Sequence, residues 1–583
     1  MLKTLGSQIK EFRRASLATP IYMVLEVAME MVIPLLMASI VDDGIEKGDL
    51  NHVYKVGGVM IVCALIGLFA GLMGARYGAK ASTGLARNLR EAMFSNIQRF
   101  SFANIDKFST AGLVTRLTTD VTNVQNAYQM LLRMCVRAPI SMICAMVMAF
   151  WINARLASVY LVAVIILGAL LSLIVSRAMK YFTQVFQKYD DLNASVQENV
   201  SAIRVVKAYV REEYEQKKFT TASRNLYKMF LRAEGVVAWN APLMMATIYT
   251  CILLISWIGA KMIVVGGLTT GELMSLLTYC MNILMSLMML SMVFVMVSMS
   301  TAGAKRICEV INEEPTLVNP ENPVMEVADG SIDFDHVNFS YKQDGNDVLS
   351  DINLHIKSGE TIGIIGGTGS AKTSLVNLIS RLYDVREGSV SVGGLDVRKY
   401  DLEVLRNQVS VVLQKNVLFS GTILDNLRWG DEHATEEECM EACRLACADE
   451  FIERMPDKYN TYIEQGGSNV SGGQKQRLCI ARALLKKPKV LILDDSTSAV
   501  DTATDAKIRK AFAECIPETT KLIIAQRVSS IQHADRILVM EDGKINGIGT
   551  HEELLETNQI YREVYESQTQ GGGDFDHKMG GEQ

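Results

Sequence analysis

The 583-residue sequence lacks a basic excess and a zinc-type cysteine pattern. It has 58 Lys and Arg against 64 Asp and Glu, a formal net charge of −6. Proteins that bind nucleic acid carry clustered positive charge, so we expect no nucleic-acid partner. Cys439, Cys443 and Cys447 stand at helical spacing, but no second ligand cluster follows at zinc spacing. We therefore expect no metal site at these three cysteines.

The N-terminus lacks the short apolar core of a cleavable signal peptide. Its basic residues are spread over an amphipathic stretch instead: Lys3, Lys10, Arg13 and Arg14. We expect this stretch to lie on the inner surface of a membrane. Aromatic residues are also few, at 7% of the chain, which argues against a cavity lined mainly by rings.

What the sequence does contain is apolar residues, at 49% of the chain, segregated into its first half. A helix needs about 20 apolar residues to cross a bilayer. Four runs without Asp, Glu, Lys or Arg meet this length, and two weaker runs complete a set of six. The six predicted spans are Ala15–Val41 (interrupted by Glu26 and Glu30), Val56–Ala75, Ala138–Ile152, Leu156–Ser176, Gly235–Ala260 and Leu273–Ala304.

Long and short connections alternate between these spans. The two long ones carry most of the Lys and Arg, including Arg87, Arg99, Arg204 and Lys218, which places them in the cytoplasm. Both chain termini then lie inside. Apolar positions at three and four spacing in Ala194–Phe219 predict that the spans continue as helices and that their tips dock on another domain.

Prolines at 315, 320 and 323 mark a domain boundary, since proline does not continue a helix. We predict a membrane domain over residues 1–320, a soluble α/β domain over 325–570 and a polar flexible tail over 571–583.

The soluble domain contains a predicted strand, a glycine-rich loop and a helix in direct succession. The strand Thr361–Ile365 leads into Gly366-Gly367-Thr368-Gly369-Ser370-Ala371-Lys372-Thr373, and Ser374–Tyr383 has helical periodicity. Such a loop directs backbone N–H groups at phosphate oxygens, with Lys372 on the terminal phosphates and Thr373 on Mg²⁺. Ala371 stands where glycine is usual, which matters only if this residue needs a positive φ.

Two further signals follow this loop. Ser471-Gly472-Gly473-Gln474 combines a good helix N-cap with paired glycines that let a phosphate approach the helix end, although a simple capped helix after a turn explains it too. Val490–Asp495 reads as a buried parallel strand that delivers carboxylates at its C-terminal end, where Asp494 is expected to hold Mg²⁺.

At these residues the chain resembles the ATP-binding cassette (ABC) transporters, in order and nearly end to end. Under this resemblance Tyr341 matches the aromatic that stacks on adenine, Gln414 the switch glutamine and Ser471–Gln474 the signature motif, while Ser498-Ala499-Val500-Asp501 matches the loop that crosses the dimer. The six spans are similar to those of the exporter branch. The resemblance implies ATP and Mg²⁺ as cofactors, and contacts to them from Tyr341, Gly366, Gly367, Thr368, Gly369, Ser370, Ala371, Lys372, Thr373, Ser374, Gln414, Ser471, Gly472, Gly473, Gln474, Asp494 and Asp501.

The chain departs from the family pattern at two catalytic positions. Asp495 stands where the family has a catalytic glutamate, and Gln526 stands where it has the switch histidine. The shorter carboxylate retreats by about 1 Å from the attacking water, and glutamine does not become cationic. One reading is that these are tolerated near-isosteres. The other, strengthened by Ala371, is a site that binds ATP and hydrolyses it slowly.

An altered ATP site beside an intact signature resembles one subunit of a heterodimeric bacterial multidrug exporter. In this family each ATP lies between the phosphate loop of one chain and the signature of the other. The resemblance therefore implies a second, different half-transporter as partner, in the inner (cytoplasmic) membrane.

The sequence leaves the cargo open. Met281, Met285, Met288, Met292, Met296 and Met299 share one helix face, which either lines a cavity for amphiphilic cargo or packs against helices and lipid. Glu26 and Glu30 either favour cationic cargo or pair with Arg133 or Arg137. A drug or amphiphile exporter is the leading hypothesis. A lipid exporter, a peptide exporter and a non-transporting ATP sensor are the alternatives.

Overall fold

The computed structural model describes residues 1–342, 345–495 and 500–570. The described chain divides into two compact units. One contains Met1–Arg99 and Phe108–Glu313, and the other contains Phe100–Lys107 together with the described residues from Glu314 onward.

The first unit is built from long helices, because its apolar runs satisfy their backbone groups internally and bury their apolar faces against one another. Six of its helical segments are long and apolar enough to cross a membrane: Lys10–Ile45, Leu50–Gln98, Thr110–Ile152, Ala154–Ser201, Glu212–Val264 and Thr270–Asn312. This confirms the predicted count of six. The individual helices are α1 (Leu2–Ser7), α2 (Arg13–Ser39), α3 (Leu50–Gln98), α5 (Thr110–Thr115), α6 (Val121–Ile152), α7 (Ala154–Ser201), α8 (Ile203–Ala208), α9 (Glu212–Val237), α10 (Asn240–Val264) and α11 (Thr270–Asn312), with α4 (Phe102–Lys107) in the second unit.

Buried polar groups join these helices. The Tyr160 hydroxyl of α7 donates to the Leu276 carbonyl of α11 at 2.9 Å, and the Tyr279 hydroxyl of α11 donates to the Met31 carbonyl of α2 at 2.7 Å. Helix α11 also carries Arg306, whose guanidinium makes two hydrogen bonds to Asp120, at 2.8 and 2.6 Å. Bonds of this kind hold helices together where apolar side chains alone give little preference for one neighbour.

The second long connection differs from the prediction. The range Ala194–Phe219, predicted to be helical, is helical but not continuous: the chain turns at Ala202 and again at Tyr209–Arg211, so three helices share this range. Val210 has a φ of 50°, outside the helical region. The turns contain neither glycine nor proline, and the three-and-four spacing of apolar residues passes through them unchanged, which is why the sequence concealed the breaks.

The second unit contains two sheets. A four-stranded antiparallel sheet has the order β2-β1-β4-β5, and a six-stranded sheet has the order β12-β11-β3-β10-β9-β6, parallel except for its edge strand β12. The strands are β1 (Ile332–Phe339), β2 (Leu349–Ile356), β3 (Thr361–Gly366), β4 (Glu387–Val392), β5 (Leu395–Asp396), β6 (Val409–Val412), β7 (Gly421–Thr422), β8 (Tyr462–Ile463), β9 (Val490–Asp494), β10 (Thr520–Ile524), β11 (Arg536–Glu541) and β12 (Lys544–Gly549).

Helices surround the larger sheet, as expected for buried parallel strands. They are α12 (Lys372–Ile379), α13 (Leu402–Gln408), α14 (Ile423–Leu427), α15 (Glu436–Leu445), α16 (Asp449–Ile452), α17 (Gly472–Leu485), α18 (Thr502–Cys515), α19 (His551–Thr557) and α20 (Gln559–Gln570). Cys439, Cys443 and Cys447 are buried in the apolar core beside α17. Helix α12 ends at Ile379, earlier than the predicted Tyr383, and Arg381 just beyond it has a φ of 49°.

The short helix α4 belongs to this second unit. Its Asp106 accepts a hydrogen bond from the Tyr383 hydroxyl at 2.8 Å, and the Phe102 ring lies 6.0 Å from the Tyr383 ring. The Asn104 side chain donates to the Glu314 carbonyl at 3.1 Å. The tip of the first long connection, α4, thus belongs to the same compact unit as the α/β domain. The tip of the second long connection, α8, belongs to the helical unit.

Candidate nucleotide site

The phosphate loop leaves the C-terminal end of β3 and enters α12. A β-carbon on Gly366 would lie 2.2 Å from the Met540 carbonyl oxygen, so only glycine fits where β3 passes β11. Gly369 has a φ of 87°, a left-handed conformation that glycine adopts freely. These two glycines let the loop turn tightly and leave its backbone open to a phosphate group.

Ala371 adopts the conformation for which the usual glycine is suited. It precedes α12 with φ 68° and ψ 22°, in the left-handed region. An L-residue with a β-carbon is disfavoured there by about 1–2 kcal/mol. Alanine is therefore strained at this position. The sequence alone did not show whether residue 371 needs a positive φ, and the structure shows that it does.

Lys372 is held by the loop that it follows. Its ammonium donates to the carbonyls of Gly366 and Gly367, at 2.9 and 2.8 Å, and to the Ser370 hydroxyl at 3.1 Å. Burial lowers the pKa of Lys372, and the charges of Asp494 and Asp495 oppose this shift. An ammonium in this position is ready to exchange carbonyl oxygens for phosphate oxygens, which are stronger acceptors.

Two oxygen donors suited to Mg²⁺ meet at the edge of the sheet. The Thr373 hydroxyl donates to both carboxylate oxygens of Asp494, at 3.1 and 2.9 Å. Burial raises the pKa of Asp494 and repulsion from Asp495 adds to the effect, while the Thr373 hydrogen bond opposes it. A divalent cation would relieve this burial of negative charge, so the pair fits Mg²⁺ in both chemistry and electrostatics. Gln414 is exposed just beyond β6, which runs parallel to β9, so it follows the same sheet edge as Asp494.

The two residues that depart from the family pattern are bonded to each other. The Gln526 amide Nε2 donates to Asp495 Oδ2 at 2.7 Å. Asp495 itself has a φ of 49°, and its backbone N–H donates to the Ile524 carbonyl of β10 at 3.1 Å. Both side chains therefore stand together at the ends of two adjacent parallel strands, β9 and β10.

Gln568, which the sequence did not indicate as a site residue, supports the switch segment, Gln526–Val528. Gln568 of α20 accepts a hydrogen bond from the Val528 N–H at 2.9 Å and donates one to the Gln526 carbonyl at 2.8 Å. One side chain thus fixes the backbone on both sides of Arg527. No local pattern indicates this contact, because Gln568 lies about forty residues along the chain.

Tyr341, the expected adenine-stacking residue, lies beside the start of α12. Its hydroxyl is 2.8 Å from the Ser374 hydroxyl of α12, and its ring makes an edge contact with Tyr383 at 5.1 Å. The side chain remains 45% exposed. These contacts hold the ring in place, and its exposed part remains accessible to a planar group.

The signature residues form an exposed helix start. Ser471 caps α17 by accepting from the Gln474 N–H at 3.3 Å, and Gln474 accepts in return from the Ser471 N–H at 2.9 Å. Asp501 caps α18 by accepting from the Thr504 N–H at 2.9 Å, a bond that lowers the pKa of Asp501. Ser498 and Ala499 lie outside the described residues. Ser471 and Gly472 are exposed, so this helix end is accessible to a second chain.

In the helical unit the two acidic residues share one cation. Arg137 contacts Glu26 at 2.7 Å and Glu30 at 2.8 Å. Of the two partners that the sequence suggested, the structure thus selects Arg137 for both acids.

The methionines of α11 differ in their surroundings. Met281, Met285 and Met292 are exposed, and Met288 is partly buried against the apolar core of the bundle. Met296 is also partly buried, and the Met299 side chain lies outside the described part of α11.

A bundle of six membrane-crossing helices and a P-loop domain of this geometry together define a membrane protein that binds nucleotide. Comparison with known families agrees. The ABC transporter transmembrane region matches residues 18–297, and a second model, described as ABC transporter, matches residues 349–498. An uncharacterised ABC transporter ATP-binding protein, YfiB of Bacillus subtilis, is 38% identical over 94% of this chain and 95% of its own length.

The chain therefore belongs to the ABC transporter family. An ATP-dependent lipid A-core flippase of Desulfotalea psychrophila is 32% identical over 83% of this chain and 84% of its own. A solved bacterial Atm1-family ABC exporter with ATP bound shares the fold, with a TM-score of 0.83, 24% identity and coverage of 95% of this chain and 99% of that one. The protein is thus a multi-pass ABC transporter whose ATP-binding domain couples ATP hydrolysis to transport.

Proposed function

We propose that this chain is the altered-site subunit of a heterodimeric ABC exporter in the inner (cytoplasmic) membrane, with both termini and the ATP-binding domain in the cytoplasm. The observation that carries the proposal is the 2.7 Å hydrogen bond between Gln526 and Asp495. In this family the two positions act on the γ-phosphate and the attacking water. Here the Gln526 amide donates to Asp495 Oδ2, so this carboxylate oxygen already has a hydrogen-bond donor.

The chemistry of these side chains supports a slow site. A general base needs hydrogen-bond reach to the water, and about 1 Å of retreat costs on the order of a hundredfold in rate. Asp495 is one methylene shorter than glutamate, and its Oδ2 already accepts from Gln526. Gln526 contributes no positive charge to the γ-phosphate. Mg²⁺ would be held by Thr373 and Asp494, with Gln414 as a further oxygen ligand, so binding is retained while the hydrolytic step is weakened.

The signature supports the second half of the proposal. The capping box at Ser471 and Gln474 presents an exposed helix N-terminus whose N–H groups and dipole favour an anion. This end is intact. It would complete the ATP site of a different half-transporter, one that supplies the glutamate and histidine that are missing here.

Amphiphilic compounds or drugs are the proposed cargo. Glu26, Glu30 and Arg137 together carry one net negative charge inside the helical unit, which favours cationic amphiphiles over anionic ones. The exposed methionines of α11 add a polarizable apolar surface. Lipid is the second candidate, because the Desulfotalea relative is named as a lipid A-core flippase.

Steady-state ATPase measurements on the purified chain test the heterodimer. We expect this chain alone to bind nucleotide with very slow turnover, because Asp495 and Gln526 would then occupy both sites. Addition of its partner should restore turnover. Rates typical of transport ATPases from the chain alone would contradict the heterodimer. Transport into proteoliposomes containing both chains separates an exporter from a non-transporting ATP sensor.

A further inference from the structure

The α/β unit contains a cavity of about 500 Å³ away from the phosphate loop. It lies between helix α18 and the segment that follows β10, residues 528–534. Thr361, at the N-terminal end of β3, lines this cavity, whereas the phosphate loop leaves the opposite end of the same strand. The nucleotide site and this cavity are therefore separate.

The charged residues that line the cavity are all cations. They are Arg509, Lys510 and Lys521, and none of the lining residues in the described chain is Asp or Glu; His533 is a further lining residue. Lys510 stands at the exposed rim, 3.8 Å from Glu514 on its own helix. The cavity thus has a positive lining with hydroxyl groups from Thr361, Thr502, Ser529 and Ser530.

Lys521 is the most unusual member of this set, since lysines are seldom buried without a partner. Its exposed fraction is only 4%, and its Nζ donates to the Thr519 carbonyl at 2.8 Å. An ammonium has three donors, so this bond leaves capacity for an anion. Burial lowers the pKa of Lys521, with the charge of Asp535 opposing the shift.

Arg509 offers a second donor group. Its Nη1 donates to the Ser529 carbonyl at 3.1 Å, and its Nη2 lies 3.2 Å from Asp505. Its Nε is buried without a hydrogen-bond acceptor among the described residues. Asp505 also accepts from the Ser530 hydroxyl at 3.1 Å, so the nearest carboxylate already has two partners.

Apolar side chains also line the cavity. Phe512 and Ile523 are buried side chains that contribute to it, together with Ala506 and Ala513 of α18. A cavity lined by both cations and apolar side chains matches a ligand that has an anionic group and a compact apolar body.

We propose that this cavity binds a small organic anion, a phosphate or carboxylate on a compact apolar body, with Lys521 and Arg509 engaging the anionic group. The ligand would lie against the segment that begins two residues after Gln526. It would occupy neither the ATP site nor the membrane pathway, and the proposal does not depend on the heterodimer.

The test uses the full-length protein in detergent, with saturating Mg²⁺ and a non-hydrolysable ATP analogue to fill the phosphate loop. Binding of 4-fluorophenyl phosphate and of 4-fluorobenzoate is followed by ¹⁹F NMR, and the neutral 4-fluorobenzyl alcohol measures partitioning into detergent. Saturable binding of at least one anion, and not of the alcohol, is expected. The two anions distinguish a phosphate from a carboxylate ligand.

Lys521→Met, which keeps the side-chain length without the charge, should weaken anion binding about tenfold or more, the effect of one lost charged hydrogen bond. Ala506→Phe fills the cavity from an exposed helix position and should abolish binding even if Lys521→Met folds poorly. Lys507→Met is the control, because Lys507 is on α18 but pairs with Glu450 at 2.9 Å. Absence of saturable binding, equal binding of the alcohol, or wild-type affinity in Lys521→Met and Ala506→Phe would overturn the proposal.

Discussion

The side-chain amide of Gln526 donates to Oδ2 of Asp495 over 2.7 Å, at the ends of the adjacent strands β9 and β10. If this pair is what slows ATP hydrolysis at the site, restoring both family residues should raise the hydrolysis rate. We expect the double variant Asp495→Glu with Gln526→His to raise the ATPase rate of the chain alone by about 10- to 100-fold, since reach and positive charge both return.

Steady-state phosphate release from the purified chain measures this gain. Asp495→Asn is the matched control, because asparagine keeps the size of the side chain but cannot act as a base. If the double variant turns over no faster than this control, the slow step lies elsewhere in the site.

In the assembled complex the signature should matter more than Asp495. Under the proposed function, Ser471→Ala would remove a donor to the γ-phosphate at the competent site, and losing one such donor costs about 10²–10³ in rate. Asp495→Asn should cost far less. The measurement is the ATPase rate of both mutant complexes under identical conditions.

Ser471 also caps α17, so its replacement has a structural effect that must be separated from the catalytic one. Thr435→Ala provides this control, because Thr435 caps α15 with the same reciprocal pattern, through Glu438. Cap loss alone costs about 1 kcal/mol of stability. If Asp495→Asn is as damaging as Ser471→Ala, Asp495 is a working base and the two sites are not asymmetric in the proposed way.

Much of this architecture could be predicted because its signals are local. Six apolar runs indicated the spans, and the Ser471 cap and the strand Val490–Asp494 followed from residue types within a few positions. The turns around α8 could not be predicted, because their residues are ordinary helix formers. Gln568 could not be predicted either, since its contact with the switch segment depends on how α20 packs. The left-handed Ala371 is intermediate: the motif indicated the position, and only the backbone revealed its φ.

Ala371→Gly should stabilise the nucleotide-binding domain. Removing a β-carbon from a left-handed residue gains about 1–2 kcal/mol, and the greater freedom of glycine in the unfolded chain offsets part of it. We expect a net gain of about 0.5–1 kcal/mol. The relevant observable is the thermal transition that Mg-ATP raises, because ligand binding identifies the domain that unfolds.

Ala511→Gly, inside the right-handed helix α18, is the control and should lower the same transition by about 1 kcal/mol. If both variants destabilise the domain equally, the left-handed conformation of Ala371 carries no strain.

The Mg²⁺ contribution to nucleotide binding should depend on pH. Burial raises the pKa of Asp494, and repulsion from Asp495 adds to it. A protonated carboxyl does not ligate Mg²⁺, so affinity should decline on acidification from a higher pH than for an ordinary aspartate, with a pKa of about 3.9. Affinity for a fluorescent ATP analogue, measured with and without Mg²⁺ across the acidic range, tests this.

Titration of the nucleotide itself must be removed from this comparison. Asp494→Asn has no carboxyl at this position, so any pH dependence that it retains belongs to the nucleotide or to other groups. The prediction fails if wild type and Asp494→Asn lose the Mg²⁺ contribution along the same pH curve.

For the cluster of Glu26, Glu30 and Arg137 in the helical unit, we expect three substitutions together to destabilise the protein less than one of them alone. Arg137 contacts both Glu26 and Glu30, and its side chain is 30% exposed. Arg137→Met leaves two carboxylates near each other among apolar helices, whereas Arg137→Met with Glu26→Gln and Glu30→Gln leaves no charge. Removing one partner of a buried ion pair costs about 3–5 kcal/mol of stability, whereas replacing all its members is often neutral. Because Arg137 is partly exposed, we expect Arg137→Met to lose less stability than this, and the triple variant to recover it. The yield of folded protein and the thermal transition that Mg-ATP does not raise measure both effects. If the triple variant is as unstable as Arg137→Met, the shape of Arg137 and not its charge determines its contribution to stability. Pairing with Arg137 would then not be the structural role of Glu26 and Glu30.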